Sequence, residues 1–315
     1  MWRPPRFVIP ALAVFILACG GLLAHAYARQ LQAHAQCPTW PECYRAAAAV
    51  TDIHDVRDGE RVQMLADVGL WLALAGLAGF GWRRRESSFD RRWAIPLAAL
   101  ALVTLAAATR YAYAGPGVSL SQWLTALVVC ALLWWLVLRE RRFLQPLPAT
   151  RATRALRPRV LAGLALTLIA SALGGWAVAH GIGLPCPDFP ACRNEWWPAG
   201  NLLAGVALAA RPDDETAAAA LAVSHRLAAL IALLYVGWLG LHLWRTGVRD
   251  HLCRYGMLLL AALLVAAGLG IMGAVTRLPP ETVMAHSAAA AALILSLVTL
   301  YHVLRPVNRP GNPDV

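Results

Sequence analysis

Residues 255–276 read YGMLLLAALLVAAGLGIMGAVT, and residues 283–304 read VMAHSAAAAALILSLVTLYHVL. Neither stretch holds an Asp, Glu or Arg. A helix on the surface of a soluble protein keeps one polar face; these have none. About 20 apolar residues in a helix cross the ~30 Å hydrocarbon core of a bilayer. The pair therefore reads as two membrane crossings. Six more apolar runs precede them, at 7–27, 63–82, 93–113, 121–138, 158–180 and 221–243. In lipid the backbone must satisfy its own polar groups, which makes each run a helix. The expected fold class is all-α: a polytopic membrane protein of eight transmembrane helices.

Composition agrees. The chain of 315 residues is 59% hydrophobic and 14% charged, with a mean hydropathy of +0.55. A soluble domain is about 45–50% apolar and about 25% charged. A water-soluble enzyme and a disordered chain are both excluded on that ground. The net charge of +11 would ordinarily raise nucleic acid as a partner. Here the charge lies in short runs between the spans and no nucleic-acid motif accompanies it. Membrane lipid with anionic headgroups is the partner it suits. All 28 basic residues are Arg, which together with the Ala content reads as genome composition.

The arginines orient the chain. Connections after spans 2, 4 and 6, with the two termini, hold 19 of them, and the opposite side holds 9 together with eleven acidic residues. The positive-inside rule puts the 19-Arg side in the cytoplasm. Both termini are then cytoplasmic, in a bacterial inner membrane, and loops 28–62 and 181–220 face outward. The start of the chain also has the look of a signal peptide, with Ala24-His25-Ala26 as a cleavage site, and Leu17-Ala18-Cys19 is a weak lipoprotein box. A repeat argues for retention of span 1.

That repeat matches the two halves in order. Gly20-Gly21 answers Gly174-Gly175, Trp82-Arg83 answers Trp244-Arg245, and Thr109-Arg110 answers Thr276-Arg277. The most specific match is CPTWPEC at 37–43 with CPDFPAC at 186–192. The expected organisation is two pseudo-symmetric four-helix bundles, 1–138 and 158–315, with 139–157 as a cytoplasmic linker. Small-residue faces at Gly76/Gly79 and Gly268/Gly270 should carry helix packing.

Cys37/Cys43 and Cys186/Cys192 stand on the outward, oxidising side. Each pair closes a loop with two prolines, which reduce the entropy lost on closure. One disulfide per loop is expected, either as a staple or as a redox-active pair; the spacing does not suit zinc. Cys19, Cys130 and Cys253 read as small apolar residues or cytoplasmic thiols.

Ionisable groups inside membrane spans are expensive and usually functional. His225 opens span 6 and is followed by Arg226; His286 opens span 8. They fall at similar depth in one four-helix unit. Two imidazoles facing across a bundle can take both axial positions of a haem iron; alternatively each bonds to a neighbouring helix. Arg226 and Arg277 lie at the same level and suit haem propionates. His242, His251 and His302 read as interfacial, while His25 and His180 lie near outer ends without a partner by spacing.

These residues resemble the haem A synthase family: eight spans, two homologous halves, an outer cysteine pair in each, His-Arg opening span 6 (His225-Arg226) and Ala-His-Ser opening span 8 (Ala285-His286-Ser287). The resemblance implies a haem b cofactor in the C-terminal half and haem O as the substrate in the N-terminal half, its C8 methyl oxidised to a formyl group. It implies an electron donor, with haem O synthase or cytochrome oxidase as partners. The family's Glu-x-x-His-Arg segment opening span 2 falls on Glu60-Arg61-Val62-Gln63-Met64, and the His expected at span 4 falls on Gln122. Both N-terminal iron ligands are thus replaced by glutamine, with Asp67 one turn deeper. Glu60 remains a candidate general base or charge stabiliser, or a solvated loop carboxylate. Arg110 would have to help hold the substrate haem. The alternative is a non-catalytic haem-binding electron-transfer or oxidase assembly protein. A transporter is the least supported reading, since the spans lack broken helices with midplane charges.

Overall fold

The computed structural model describes residues 7–35, 53–83, 96–103, 106, 116–140, 144, 146, 147, 150–179, 189–192, 195, 215–246, 252–276 and 278–305. Seven long helices occupy seven of the expected spans: α1 (Val8–Ala35), α2 (Ile53–Arg83), α4 (Pro116–Glu140), α5 (Arg151–Ala179), α6 (Glu215–Thr246), α7 (Leu252–Val275) and α8 (Pro280–Val303). Residues 96–103, in the remaining span, are helical and are called α3. Each of the seven is long and apolar enough to cross a membrane. The protein is a multi-pass helical membrane protein.

Several helices outrun their apolar cores. α2 begins at Ile53, ten residues before the apolar run at 63, because Asp and Arg there are tolerable helix formers once clear of the hydrocarbon. α5 begins at Arg151 and continues through Pro158. Thr150 starts it with a capping arrangement: its hydroxyl accepts from Thr153 N–H at 3.1 Å, and Thr153 Oγ1 accepts from Thr150 N–H at 2.9 Å.

Large apolar side chains cover the outside of the bundle: Leu65, Leu72, Leu102, Leu234 and Leu264 are all exposed. That would be a severe penalty in water and is the preferred state in lipid. The interior is organised around α8. Half of its apolar window is buried, against 22% for α7. Ala291, Ile294 and Val298 pack into a core built by α1 to α4. Leu293, Leu297 and Leu300, on its other side, pack with α5, α6 and α7. One helix thus belongs to both cores.

Polar bonds fasten α8 at each end. At the end carrying His225 and His286, Gln30 Nε2 on α1 donates to the Leu278 carbonyl at 2.9 Å. Leu278 has φ 57°, a left-handed conformation that is uncommon for a branched side chain, and its N–H closes α7 on the Gly273 carbonyl at 2.7 Å. Pro280 then opens α8 with a preset φ. At the arginine-rich end, Trp134 Nε1 donates to Thr299 Oγ1 at 2.8 Å, Arg157 donates to Tyr301 Oη at 2.8 Å, and Leu147 N–H donates to the Val303 carbonyl at 2.9 Å. His302, expected at an interface, is fully buried there, edge-on to Trp135 with centroids 5.2 Å apart. Cys19 and Cys130 face each other across α1 and α4, with sulfurs 4.0 Å apart.

The expected glycine faces need correction. Gly76, Gly79 and Gly268 have nothing within 4 Å of a would-be Cβ; they face outward, so their small size brings no helix closer. The close approach is α6 on α7. There a Cβ on Gly256 would stand 2.7 Å from the Gly240 carbonyl oxygen, and one on Gly240 would stand 2.8 Å from Leu260 Cγ. Gly256→Val should therefore destabilise the protein by about 1–3 kcal/mol through overpacking against backbone. Gly268→Ala should be neutral or slightly stabilising, since it replaces a poor helix former in open space. Thermal unfolding of the two variants in one detergent checks the contrast.

Candidate functional site

A cavity of about 440 Å3 opens between α5, α6, α7 and α8, and α1 and α4 reach into its wall. Most of its lining is Ala, Gly, Leu and Val, and the described residues that line it include no Asp or Glu. Three imidazoles, those of His25, His225 and His286, and two guanidiniums, those of Arg29 and Arg226, stand in this apolar wall.

His225 and His286 are set by the same local device. His225 Nδ1 lies 3.0 Å from the Ala170 carbonyl oxygen on α5, and the ring rests on Gly174, where a Cβ would stand 2.8 Å from His225 Cε1. His286 Nδ1 lies 2.9 Å from the Ala266 carbonyl oxygen on α7, and its ring rests on Gly270, where a Cβ would stand 2.9 Å from His286 Cε1. In each case the acceptor precedes the glycine by four residues, one helical turn along the same face. A carbonyl only accepts, so it holds the proton on Nδ1 and leaves the Nε2 lone pair as the ligating one. A ligating His held through its other nitrogen is the usual second layer of a metal site. The bond to a neighbouring helix is therefore compatible with ligation.

Arg226 is fixed by the loop that follows α5. Its Nη1 donates to the carbonyls of Ala191 and Pro190, at 2.6 and 3.1 Å. The guanidinium lies over the Phe189 ring, 5.6 Å from its centroid. The CPDFPAC segment thus has a local task beyond its cysteines: its turn aims two carbonyls at an arginine on the cavity wall. Cys192 is buried and disulfide-bonded, and its backbone pairs with that of Glu195 at 2.9 and 3.0 Å. Cys37, Cys43 and Cys186 lie outside the described residues, as do Arg110, Arg277 and His180. Glu60 lies within α2, and its side chain is outside those described.

The two glutamines expected at ligand positions are both buried. Both are engaged with α1. Gln63 is hydrogen-bonded to His25 Nδ1. Gln122 Oε1 accepts from Arg29 Nη2 at 3.1 Å. His25 itself is 5% exposed and stacks on Trp123, with centroids 6.3 Å apart. Trp123 in turn presses on α5 at Gly175, where a Cβ would stand 2.6 Å from Trp123 Cδ1.

Sequence reasoning singled out His225, His286 and Arg226, all three of which line the cavity. It missed Arg29, Gln30 and Trp123, which come from the other half of the chain. One signal was present: His25 and Arg29 are four residues apart, so they share a helix face. Gly174 was legible only as a repeat marker, and Gly270 as a helix contact; neither spacing announces that a ring will lie on it.

Comparison with known proteins shows the family. Over 90% of its length the chain is 26% identical to the heme A synthase of Shewanella oneidensis, covering 92% of that protein. Residues 120–298, more than half of the chain and including Gln122, His225 and His286, match the COX15-CtaA family, described as cytochrome oxidase assembly protein. The chain belongs to that family of cytochrome oxidase assembly proteins.

Proposed function

We propose that this protein is a haem A synthase-like oxidoreductase of the bacterial inner membrane, with both termini cytoplasmic, which converts the C8 methyl of haem O to a formyl group and holds a haem b between His225 and His286. One observation carries the reading: two imidazoles on different helices line a single apolar cavity, each fixed through Nδ1 to a backbone carbonyl and each lying on a glycine. The residues fit such a group: His225 and His286 would hold it through Nε2, in a lining that is mostly Ala, Gly, Leu and Val. A haem bound there supplies one-electron chemistry within the membrane.

The chain's own residues do the rest. Ala170 and Ala266 set the tautomer of both rings before binding, so ligation requires no proton shift within the site. Gly174 and Gly270 let each ring lie against a helix backbone. The Ala, Leu and Val lining excludes water, and Arg226 offers a fixed positive charge to a carboxylate. Glu60 would serve the substrate as a base or by stabilising developing positive charge.

A second reading has its own support. Gln63 and Gln122 are spent on His25 and Arg29, and an amide is not among the usual axial ligands of haem iron. A haem-binding electron-transfer or oxidase assembly role without turnover agrees with that.

The optical and EPR spectra of the purified protein test the cofactor site. A low-spin bis-imidazole signal is expected, and it should be lost in His225→Ala and in His286→Ala. A signal that survives either change overturns the site. Gly174→Ala should leave the fold intact and weaken the same signal, because the added methyl occupies the place of the His225 ring. Incubation with haem O, an electron donor and oxygen, followed by mass-resolved chromatography, separates the two functions. Haem A appears if the protein is a synthase; unchanged haem O beside an intact low-spin signal selects the second reading.

A further inference from the structure

The cavity assigned to haem b lies inside the bundle, yet part of its wall is also outer surface. Among the described lining residues three are exposed: Phe189 at 43%, Leu230 at 51% and Ile271 at 46%. Leu230 stands on α6 and Ile271 on α7, and Phe189 lies under the guanidinium of Arg226 on α6. We infer that the seam between α6 and α7 is a lateral opening through which haem passes between the hydrocarbon of the bilayer and the cavity, with Leu230 and Ile271 as its two edges. The inference rests on the proposed cofactor site and adds the route by which that site is filled.

The register of the two helices shows where the seam opens. Toward the arginine-rich end they touch: a Cβ on Gly256 would stand 2.7 Å from the Gly240 carbonyl oxygen, and one on Gly237 would stand 3.6 Å from Leu263 Cδ2. Steps of three and four residues keep to one face of a helix. The contact face of α6 therefore continues from Gly240 and Gly237 to Leu233, Leu230 and Arg226. That of α7 continues from Gly256 and Leu263 to Ala267, Ile271 and Ala274. All six of these continuing residues line the cavity. Faces that pack on each other at one end of the pair thus border the cavity at the other, and Ala267 and Ala274 bring only a methyl group each to the seam.

Elsewhere the wall is tied across its joints. Trp123 on α4 presses on Gly175 of α5, Gln30 on α1 bonds to the Leu278 carbonyl beside α8, and Arg226 ties the Pro190 and Ala191 carbonyls to α6. The opening also lies at the right depth. Leu230 stands near the middle of the Ala219–Arg245 span, and Ile271 stands one turn from the end of α7 at Val275. The seam between them faces hydrocarbon, where an exposed Leu and Ile carry no penalty. A porphyrin that crosses such an edge goes from one apolar surrounding to another.

Closing the seam after loading isolates the route. Full-length protein carrying Leu230→Cys and Ile271→Cys is placed in lipid vesicles, loaded with haem b and treated with a membrane-permeant bis-maleimide. Transfer of haem to excess apomyoglobin is then followed. The cross-linked protein should keep its bis-imidazole spectrum and release haem about tenfold more slowly than the untreated double variant, an effect on residence time. Wild type given the same reagent, which meets Cys19, Cys130 and Cys253 as free thiols among the described residues, should release at its untreated rate. Unchanged release after cross-linking, loss of the spectrum on cross-linking, or equal slowing of treated wild type overturns the opening. If the double variant does not accumulate, Leu230→Trp is read in its place: slower release with the spectrum intact supports the opening, and any other result overturns it. A wild-type protein lacking the bis-imidazole spectrum would instead bring down the cofactor site itself, so the two failures are told apart.

Discussion

Two short bonds from imidazole to backbone carbonyl hold the site in place. A histidine inside a membrane span is expensive when its ring nitrogens are unsatisfied, and lipid offers no water to satisfy them. α5 and α7 each solve this by giving up a carbonyl, of Ala170 and of Ala266, to a ring on the next helix. To reach that carbonyl the edge of the ring comes close against the accepting helix, and the residue one turn later is a glycine that leaves room for it, Gly174 and Gly270. Ring, carbonyl and glycine are a single device used twice, and it satisfies one nitrogen while committing the other to the cavity.

The device would be useless on helices free to slide. α8 carries His286 and is the most buried of the seven described spans, packed on both of its sides. Its entry is set by Leu278 and Pro280 and pinned by Gln30. Its far end is fixed by Thr299, Tyr301 and Val303. α6, which carries His225, is locked to α7 through the Gly240 and Gly256 crossing. The depth of each ring is therefore decided by contacts at both ends of the bundle.

Much of this was legible in the sequence, and the limit has a physical cause. Uncharged runs of membrane length specify helices directly, so seven of the spans appear where the hydropathy put them. A histidine in such a run is conspicuous because its burial is costly, which is why His225 and His286 stood out. Packing is different. Lipid-facing and protein-facing glycines look alike in an all-apolar helix, so Gly76, Gly79 and Gly268 were read as contacts and face outward. His302 likewise lies near a helix end, where residues are usually wet, yet α4 and the segment after it cover it completely. Arg29 and Trp123 belong to the cavity only through contacts between residues far apart in the chain, which no local pattern encodes.

The two buried glutamines act through lateral bonds. An imidazole replaced by an amide loses the capacity to bind iron and keeps the capacity to bond laterally. Gln63 and Gln122 use that capacity on α1, the helix that lies between the two halves. They steady a His and an Arg on the cavity wall, so α2 and α4 help to shape a wall whose other residues lie far from them in the chain.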